Sequence, residues 1–234
     1  MSVIQTVLGP IAPEQLGVTY SHDHLLFCPP APYAEQDPDL RLDDVDAAIR
    51  ELGFFKAAGG QALVEMTTVE MGRSPAGLKA ISQATGVHII AATGYNKAKF
   101  SEPFVANRSV EEIAAEMVRD LTEGMDGTDI RAGVIKASTS QDQITAGEEK
   151  VIQAAAQAHL RTGAPVSTHT EAGTCALGQI ERLRAAGVEP PSIIIGHLDR
   201  KLEWGYHLTI AQTGVYMGYD QVSKEKYWPD AERI

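Results

Sequence analysis

Two kinds of hydrophobic segment alternate along the chain from end to end. The short ones are rich in Val, Ile and Thr and too short for helices, so they predict buried strands. These strands are predicted over Gly17–Ser21, Ala62–Thr67, Val87–Thr93, Ala132–Lys136, Pro165–His169, Ser192–His197 and Val215–Tyr219. The longer, amphipathic segments predict helices over Asp43–Ala58, Ser109–Thr122, Gly147–Thr162 and Thr174–Ala186. Strands that alternate with helices indicate βαβ units and a parallel sheet.

The turn after the first predicted strand bears on which parallel fold this is. It reads Ser-His-Asp-His at residues 21–24, and no glycine-rich dinucleotide motif or phosphate-binding loop occurs in the sequence. An open doubly wound sheet usually carries such a motif, whereas a (β/α)₈ barrel does not need one. We therefore expect an α/β fold of the TIM-barrel type, with residues 1–234 as a single domain.

The number of strands falls one short of a full barrel. Seven are predicted, and only fifteen residues follow Tyr219, whereas such barrels take about 250 residues. We therefore expect a barrel domain that is incomplete at its C-terminus. An open barrel exposes two sheet edges. A partner, an exchange with a second copy in a homodimer, or a covering loop would protect them.

Composition and charge narrow the function classes. The 234 residues carry a net charge of −11, which disfavours nucleic-acid binding. No apolar run reaches the roughly 18 residues of a membrane span, and no secretory signal is visible at the start. Cys28 and Cys175 are the only cysteines, so a cytoplasmic protein without a disulfide framework is the expectation.

Four of the seven histidines stand at the ends of predicted strands. His22 and His24 end the first strand, two residues apart and hence on one face, while His169 and His197 end the fifth and sixth. In a barrel of this type, the carboxyl ends of the strands form the active-site rim. Imidazole suits zinc and related ions, so the arrangement favours a metal site over four structural histidines.

Lys136 ends the fourth predicted strand and has two interpretations. A lysine at the rim could extend outward or pair with an acid. Alternatively, carbon dioxide could convert it to a carbamate, an anionic bridge between two metal ions. The spacing alone favours the first interpretation.

Several stretches, taken together and in order, resemble the phosphotriesterase-related proteins of the amidohydrolase superfamily. They include Gly17–Leu25, Gly133–Lys136, Ser167–Thr170 and Gly196–Arg200, and the resemblance covers essentially the whole chain. Residues 124–128 and 223–227 are also similar to the bacterial lactonase-like branch.

This resemblance implies a binuclear metal centre in a (β/α)₈ barrel. His22 and His24 would hold one divalent ion, and His169 and His197 the other. Lys136, as a carbamate, would bridge them, so the resemblance reverses the interpretation that spacing alone favours. Zinc is expected, although manganese, cobalt or iron could replace it.

The resemblance also implies an aspartate at the end of an eighth strand that shuttles the proton. No residue of this chain matches that position, so the catalytic acid–base group is unknown. We therefore expect residues 1–234 to be less active than a chain extended through an eighth strand.

Three further side chains are candidates for binding a small-molecule substrate. Tyr95 follows the third predicted strand, Arg200 follows His197, and Lys224 follows the seventh strand, where it could pair with an anionic substituent. Each also has a structural alternative, respectively packing at the rim, a rim ion pair and solvation.

The leading hypothesis is a metal-dependent hydrolase that cleaves a lactone or related ester, with promiscuous action on phosphotriesters. The alternatives are an amidase acting on an acylated amine and a non-catalytic metal-binding remnant.

Overall fold

The computed structural model describes residues 3–37 and 40–233, and this part of the chain forms two compact units. The described residues up to Tyr95, together with Ala115–Ile135, form the first unit. Asn96–Ala114 and the described residues from Lys136 onward form the second unit.

The strands of the described residues are β1 (Ile4–Thr6), β2 (Gly9–Ile11), β3 (Thr19–Asp23), β4 (Ala62–Glu65), β5 (His88–Gly94), β6 (Val134–Thr139), β7 (Val166–Thr170), β8 (Ile193–Gly196) and β9 (Tyr216–Met217). β1 and β2 pair as an antiparallel hairpin, which the sequence analysis did not predict. β3 to β9 form a seven-stranded sheet whose strand order is the sequence order. This order is typical of (β/α)₈ proteins, and the seven predicted strands are confirmed.

The helices of the described residues are α1 (Ala31–Gln36), α2 (Val45–Ala57), α3 (Pro75–Thr85), α4 (Ala98–Val105), α5 (Val110–Thr122), α6 (Ala146–Thr162), α7 (Ala176–Ala185), α8 (Trp204–Ala211) and α9 (Asp230–Arg233). The four predicted helices correspond to α2, α5, α6 and α7, and the other five were missed. Within residues 3–37 and 40–233, no helix has both the length and the hydropathy needed to cross a bilayer.

Local side-chain signals account for the helix starts. A capping box starts α5, because Ser109 N donates to the Glu112 carboxylate at 2.8 Å and Glu112 N donates to Ser109 Oγ at 3.2 Å. α6 starts earlier than predicted, because Thr145 and Glu148 form a second capping box there. α6 ends at Gly163, which adopts the left-handed conformation that glycine tolerates best.

The core of the first unit lies between its strands and the N-terminal hairpin. A buried apolar cluster is formed by Ala62, Met66, Ile90, Ala92 and Val134, with Ile4 packed against it. Gly133 allows the hairpin to come this close, because a Cβ there would lie 2.4 Å from the Gln5 carbonyl oxygen.

The second unit places polar residues at the carboxyl ends of its strands. β7 pairs with β8 in parallel and brings His169 opposite Gly196. Buried apolar residues such as Val166 and Ile195 occupy the strands before these positions. The expectation that Lys136 ends its strand is wrong, because β6 continues through Thr139. The three residues that follow Lys136 are also buried and extend the strand.

Candidate metal centre

In the first unit, the two candidate ligands are His22 and His24. His22 lies in β3 and is buried, and His24 follows the strand with its ring centroid 5.6 Å from that of His22. The pairing of β3 with β4 shifts register between Tyr20 and Asp23. The Asp23 carboxylate accepts a hydrogen bond from His24 N at 2.8 Å, so Asp23 shapes the turn that presents His24.

A buried hydroxyl and carboxylate orient the His24 ring. The Thr67 hydroxyl donates its proton to the Glu65 carboxylate. His24 Nδ1 lies 2.8 Å from the oxygen of this hydroxyl, Thr67 Oγ1. Because the hydroxyl has one proton and gives it to Glu65, it accepts a hydrogen bond from His24 Nδ1–H. The Nε2 nitrogen of His24 then carries a lone pair suitable for a metal ion.

The Glu65 carboxylate also fixes the local backbone. It accepts hydrogen bonds from Leu25 N at 3.2 Å and from Thr67 N at 3.1 Å. Glu65 therefore binds the backbone of the residues that follow β3 and β4. Since Glu65 is 1% exposed, these bonds supply the partners that a buried carboxylate needs.

In the second unit, His169 lies in β7 as a half-buried residue and has an unusual environment. Its Nε2 is buried and has no hydrogen-bond partner among the residues that the structure describes. Burial lowers the pKa of His169 well below its ordinary value, and the nearby charges of His197 and Lys136 lower it further. The ring is therefore neutral, and the orphaned nitrogen is suited to a metal ion.

His197 follows β8 directly. Its backbone is left-handed, with φ of 63°, and its ring centroid lies 4.6 Å from that of His169. The Nδ1 nitrogen lies 2.5 Å from Asp220 Oδ1. His197 and Asp220 are both buried and are among the side chains that could hold a metal ion.

Lys136 is fully buried in the same unit. It is 1% exposed, and its charge is one of the causes that lower the pKa of His169. The positive charge of Lys136 disfavours a second positive charge on the neighbouring imidazole, in agreement with the lowered pKa of His169. A carbamate on the Lys136 nitrogen would be an oxygen ligand beside the His169 ring, and such a pair fits a metal ion.

The candidate substrate residue of the first unit is Tyr95. It is 1% exposed, and its hydroxyl donates to the Glu116 carboxylate at 2.7 Å. The phenol is thus held in one orientation by an acidic partner.

The candidate substrate residues of the second unit differ in exposure. The Arg200 guanidinium lies over the Tyr227 ring at 3.8 Å, and the Arg200 carbonyl accepts a hydrogen bond from Trp228 Nε1 at 3.1 Å. Lys224 is exposed and lines a surface cavity of about 510 Å³ with Lys226. Glu225 and Asp230 also line this cavity, so its two lysines lie among carboxylates, and the pairing of Lys224 with an anionic substituent stays a prediction.

Sequence analysis missed residues that contact the candidate ligands, among them Thr67 and Asp220. Thr67 binds His24, and Asp220 binds His197. Asp220 lies 23 positions from His197, and no pattern of spacing marks such a pair. The position of Thr67 at the end of a predicted strand was the one available signal.

Comparisons with known proteins extend over the whole chain. A sequence profile of the Phosphotriesterase family matches residues 2–234. The chain is 37% identical to a phosphotriesterase homology protein of Escherichia coli, over 94% of this chain and 75% of that protein. It is 35% identical to an N-acetyltaurine hydrolase of Rattus norvegicus, over 95% of this chain and 72% of that protein.

A solved structure gives the same result for the fold. The crystal structure of a lactonase from Listeria monocytogenes superposes with a TM-score of 0.94 at 37% identity, covering 99% of this chain and 76% of that chain. The predicted fold class, an α/β protein of the TIM-barrel type, is thereby confirmed. Together with the profile match, this similarity shows that the chain belongs to the phosphotriesterase family.

Proposed function

We propose that this protein is a metal-dependent hydrolase that cleaves a lactone or related ester, with promiscuous action on phosphotriesters. The observation that carries the proposal is the neutral His169 with its buried and orphaned Nε2 atom. Membership of a family that includes lactonases and hydrolases supports the reaction class. The expected partner is a small-molecule substrate.

The proposed ligands are those implied by the family resemblance. His22 and His24 hold one divalent ion, and His169 and His197 hold a second. Lys136, as a carbamate, bridges the two. Zinc is the preferred ion, with manganese, cobalt or iron as substitutes. When bound, such ions lower the pKa of a water molecule and polarise the scissile carbonyl.

The residues of the chain prepare this chemistry by orienting donors. Glu65 holds Thr67, whose oxygen fixes His24 with Nε2 available. Burial keeps His169 uncharged, so its Nε2 is a donor without prior loss of a proton.

We further propose that three residues contact the substrate. Tyr95, held by Glu116, offers its hydroxyl oxygen as an acceptor. Arg200 lies near the strand end that carries His197, and exposed Lys224 pairs with an anionic substituent.

A second candidate function is amide hydrolysis of an acylated amine. Its support is the similarity to a protein named N-acetyltaurine hydrolase. Taurine carries a sulfonate, so an anionic substrate of this kind would also suit Lys224, the proposed partner of an anionic substituent.

The test is a direct activity comparison on the purified full chain. Zinc-loaded protein is assayed against a γ-lactone, a phosphotriester and N-acetyltaurine, and the same samples are assayed after chelation. We expect the lactone to be cleaved fastest and chelation to abolish cleavage. Faster cleavage of N-acetyltaurine would favour the amidase.

A matched control guards against general damage. His207→Asn removes a buried histidine of the same unit that is not a proposed ligand, and it should keep the activity when the protein is folded. If the metal-loaded chain binds ions but cleaves none of the three substrates, the hydrolase proposal is wrong and the non-catalytic reading is favoured.

A further inference from the structure

The four residues after β9, Gly218–Gln221, fold around the end of β8. We call this segment the β9 clasp. Leu198 N donates to the Gly218 carbonyl at 3.0 Å, and Gly218 N donates to the Ile195 carbonyl at 2.7 Å. A Cβ at position 218 would lie 3.0 Å from Gly196 Cα, so glycine permits this close approach. The clasp therefore brackets the two residues between Ile195 and Leu198, which are Gly196 and His197.

The β9 clasp also contacts the side chains of His197 and Asp199. Asp220 Oδ1 lies 2.5 Å from His197 Nδ1, and both side chains are at least 95% buried. Gln221 N donates to Asp199 Oδ2 at 2.9 Å. The side-chain amide nitrogen of Gln221 lies 3.0 Å from the same Nδ1 and donates to Asp220 Oδ1 at 3.3 Å. The Asp220 carboxylate is thus the shared acceptor of two neighbouring N–H groups.

The short contact between Asp220 and His197 defines the tautomer of the ring. Asp220 Oδ1 lies 2.5 Å from His197 Nδ1, so one hydrogen bond joins these two atoms. An ionised carboxylate accepts hydrogen bonds and donates none. The proton between the two groups therefore belongs to His197 Nδ1, and the lone pair of the ring is on Nε2.

We propose that Asp220 is a positioning residue that fixes the ring orientation and tautomer of His197, so that Nε2 is presented to a divalent metal ion. This inference rests on the proposed function for the existence of the ion. Its geometry rests on the chain alone: a left-handed His197 backbone, at φ of 63°, is strained for a residue with a side chain. The β9 clasp binds the backbone on both sides of His197 and also contacts the His197 ring through Asp220.

Three variants of the full chain test the role. Asp220→Asn keeps the size of the side chain and an oxygen that can accept from Nδ1–H, whereas Asp220→Ala removes the acceptor. Glu148→Gln is the matched control, because Glu148 is also 1% exposed in the second unit and its carboxylate accepts from Thr145 N at 2.8 Å and from Ala98 N at 2.9 Å. The measurements are zinc affinity by competition with a chelating dye and the visible spectrum of the cobalt-loaded protein.

The expected result is a graded loss of metal affinity. Asp220→Ala should weaken the second zinc site about 10- to 100-fold, the range found when the partner of a ligating histidine is lost. Asp220→Asn should weaken it less and keep the cobalt bands of the wild type, because the ligands are unchanged. Glu148→Gln should leave the zinc affinity and the spectrum as they are, even if it lowers thermal stability.

Two results would overturn the inference. Wild-type affinity and spectrum in Asp220→Ala would show that His197 needs no partner. Equal, large losses in Asp220→Asn and Asp220→Ala, with altered cobalt bands in both, would show that Asp220 is itself a ligand. Substrate hydrolysis distinguishes a failure of this inference from a failure of the proposed function. If the zinc affinities of the wild type and the variants fall in the expected order but the wild type cleaves no substrate, the proposed function is wrong and the positioning role of Asp220 stands.

Discussion

Two histidines of the second unit, His169 in β7 and His207 in α8, have contrasting surroundings. His207 Nε2 lies 3.0 Å from the Leu198 carbonyl oxygen, and its Nδ1 lies 2.9 Å from the Tyr219 hydroxyl. Both nitrogens of this ring are therefore used within the protein. His169 Nε2 is equally buried but has no hydrogen-bond partner in the described part of the chain.

The helical histidines follow a common rule. His207 donates from Nε2 to a carbonyl and accepts at Nδ1 from Tyr219, which fixes its tautomer. His159 in α6 likewise binds through Nδ1 to the Ala164 carbonyl oxygen, 2.8 Å away. These contacts tie α8 to Leu198 before it and to Tyr219 after it, and they tie α6 to Ala164 after it, so both histidines have a structural role.

The difference teaches where function lies in this fold. A buried polar atom without a partner costs about 1–3 kcal/mol, and a metal ion would supply the missing partner. The two helical histidines find hydrogen-bond partners within the protein, whereas His169, near the carboxyl end of its strand, keeps one ring nitrogen available to an external ligand. The first unit shows an intermediate case, because one nitrogen of His24 is held by Thr67 and the tautomer leaves the other for an ion.

The largest expected effect comes from removing the buried lysine beside His169. Lys136→Ala should weaken metal binding at least about 100-fold, beyond the range for an indirect partner, and lose lactone hydrolysis with it. Short carboxylic acids in solution should restore part of both, because they can replace a carbamate. Metal content and activity are measured on the same sample.

Lys150→Ala is the control for Lys136. Lys150 lies in α6 of the same unit and donates to the carbonyl oxygens of Ala106 and Arg108. This variant should lose some stability but no metal. Full metal content in Lys136→Ala would refute the bridging role.

The second prediction concerns the separate replacement of His169 and His207 by asparagine. His169→Asn should weaken metal binding strongly while leaving the unfolding free energy of the metal-free protein nearly unchanged. His207→Asn should lower that free energy by about 1–3 kcal/mol, since Leu198 and Tyr219 lose their partner, and should keep the metal. Urea titration and metal analysis of both variants check this. The contrast fails if both variants lose metal equally.

The third prediction concerns the pH dependence of the metal-free chain. The pKa of His169 is well below its ordinary value in the folded protein, so the unfolded chain binds the extra proton first. Stability should therefore be full above about pH 6.5, the ordinary histidine value, and fall as the pH drops below it. The slope is at most about 1.4 kcal/mol per pH unit for this one group.

His169→Asn isolates this contribution. In the variant, the part of the acid slope that belongs to His169 should disappear between pH 6.5 and about pH 5. Parallel stability profiles for the variant and the wild type over this range would mean that His169 is not held neutral by burial.

The smallest effect is expected far from the buried donors, at Lys224. An exposed ion pair contributes about 0.2–1 kcal/mol, so Lys224→Ala should raise the KM of an anionic substrate about two- to fivefold and leave kcat unchanged. A neutral lactone should show no change. High salt should reduce the difference. An equal rise in KM for both substrates would place Lys224 outside substrate recognition.

Much of the fold follows from local sequence signals. The seven strands of the parallel sheet were predicted because each is a short run rich in β-branched residues, and α5 because Ser109 and Glu112 form its capping box. The hairpin of β1 and β2 was missed because each strand has three residues, too few to show alternation. α3 was missed although Ser74 caps it and Gly86 ends it, because its apolar positions are flanked by small and polar residues.

The candidate site was predictable only in part. The strand-end histidines are visible in the sequence because strand ends meet at one edge of a parallel sheet. The partners of their rings are not, since the contact of Asp220 with His197 depends on the register of β9 against β8 and on the close approach that Gly218 allows. Likewise, the burial of Lys136 depends on β6 extending to Thr139.

The central claim is that the strand-end donors hold metal and that Lys136 is carbamylated. The most direct test is the intact mass of the native full chain, measured before and after mild acid, together with metal analysis of the same preparation. We predict two divalent ions per chain and the loss of one carbon dioxide on acid treatment, with both features absent in Lys136→Ala and both retained in His207→Asn. A wild-type chain that binds no divalent ion after incubation with zinc and bicarbonate, and whose mass acid does not change, would contradict the claim.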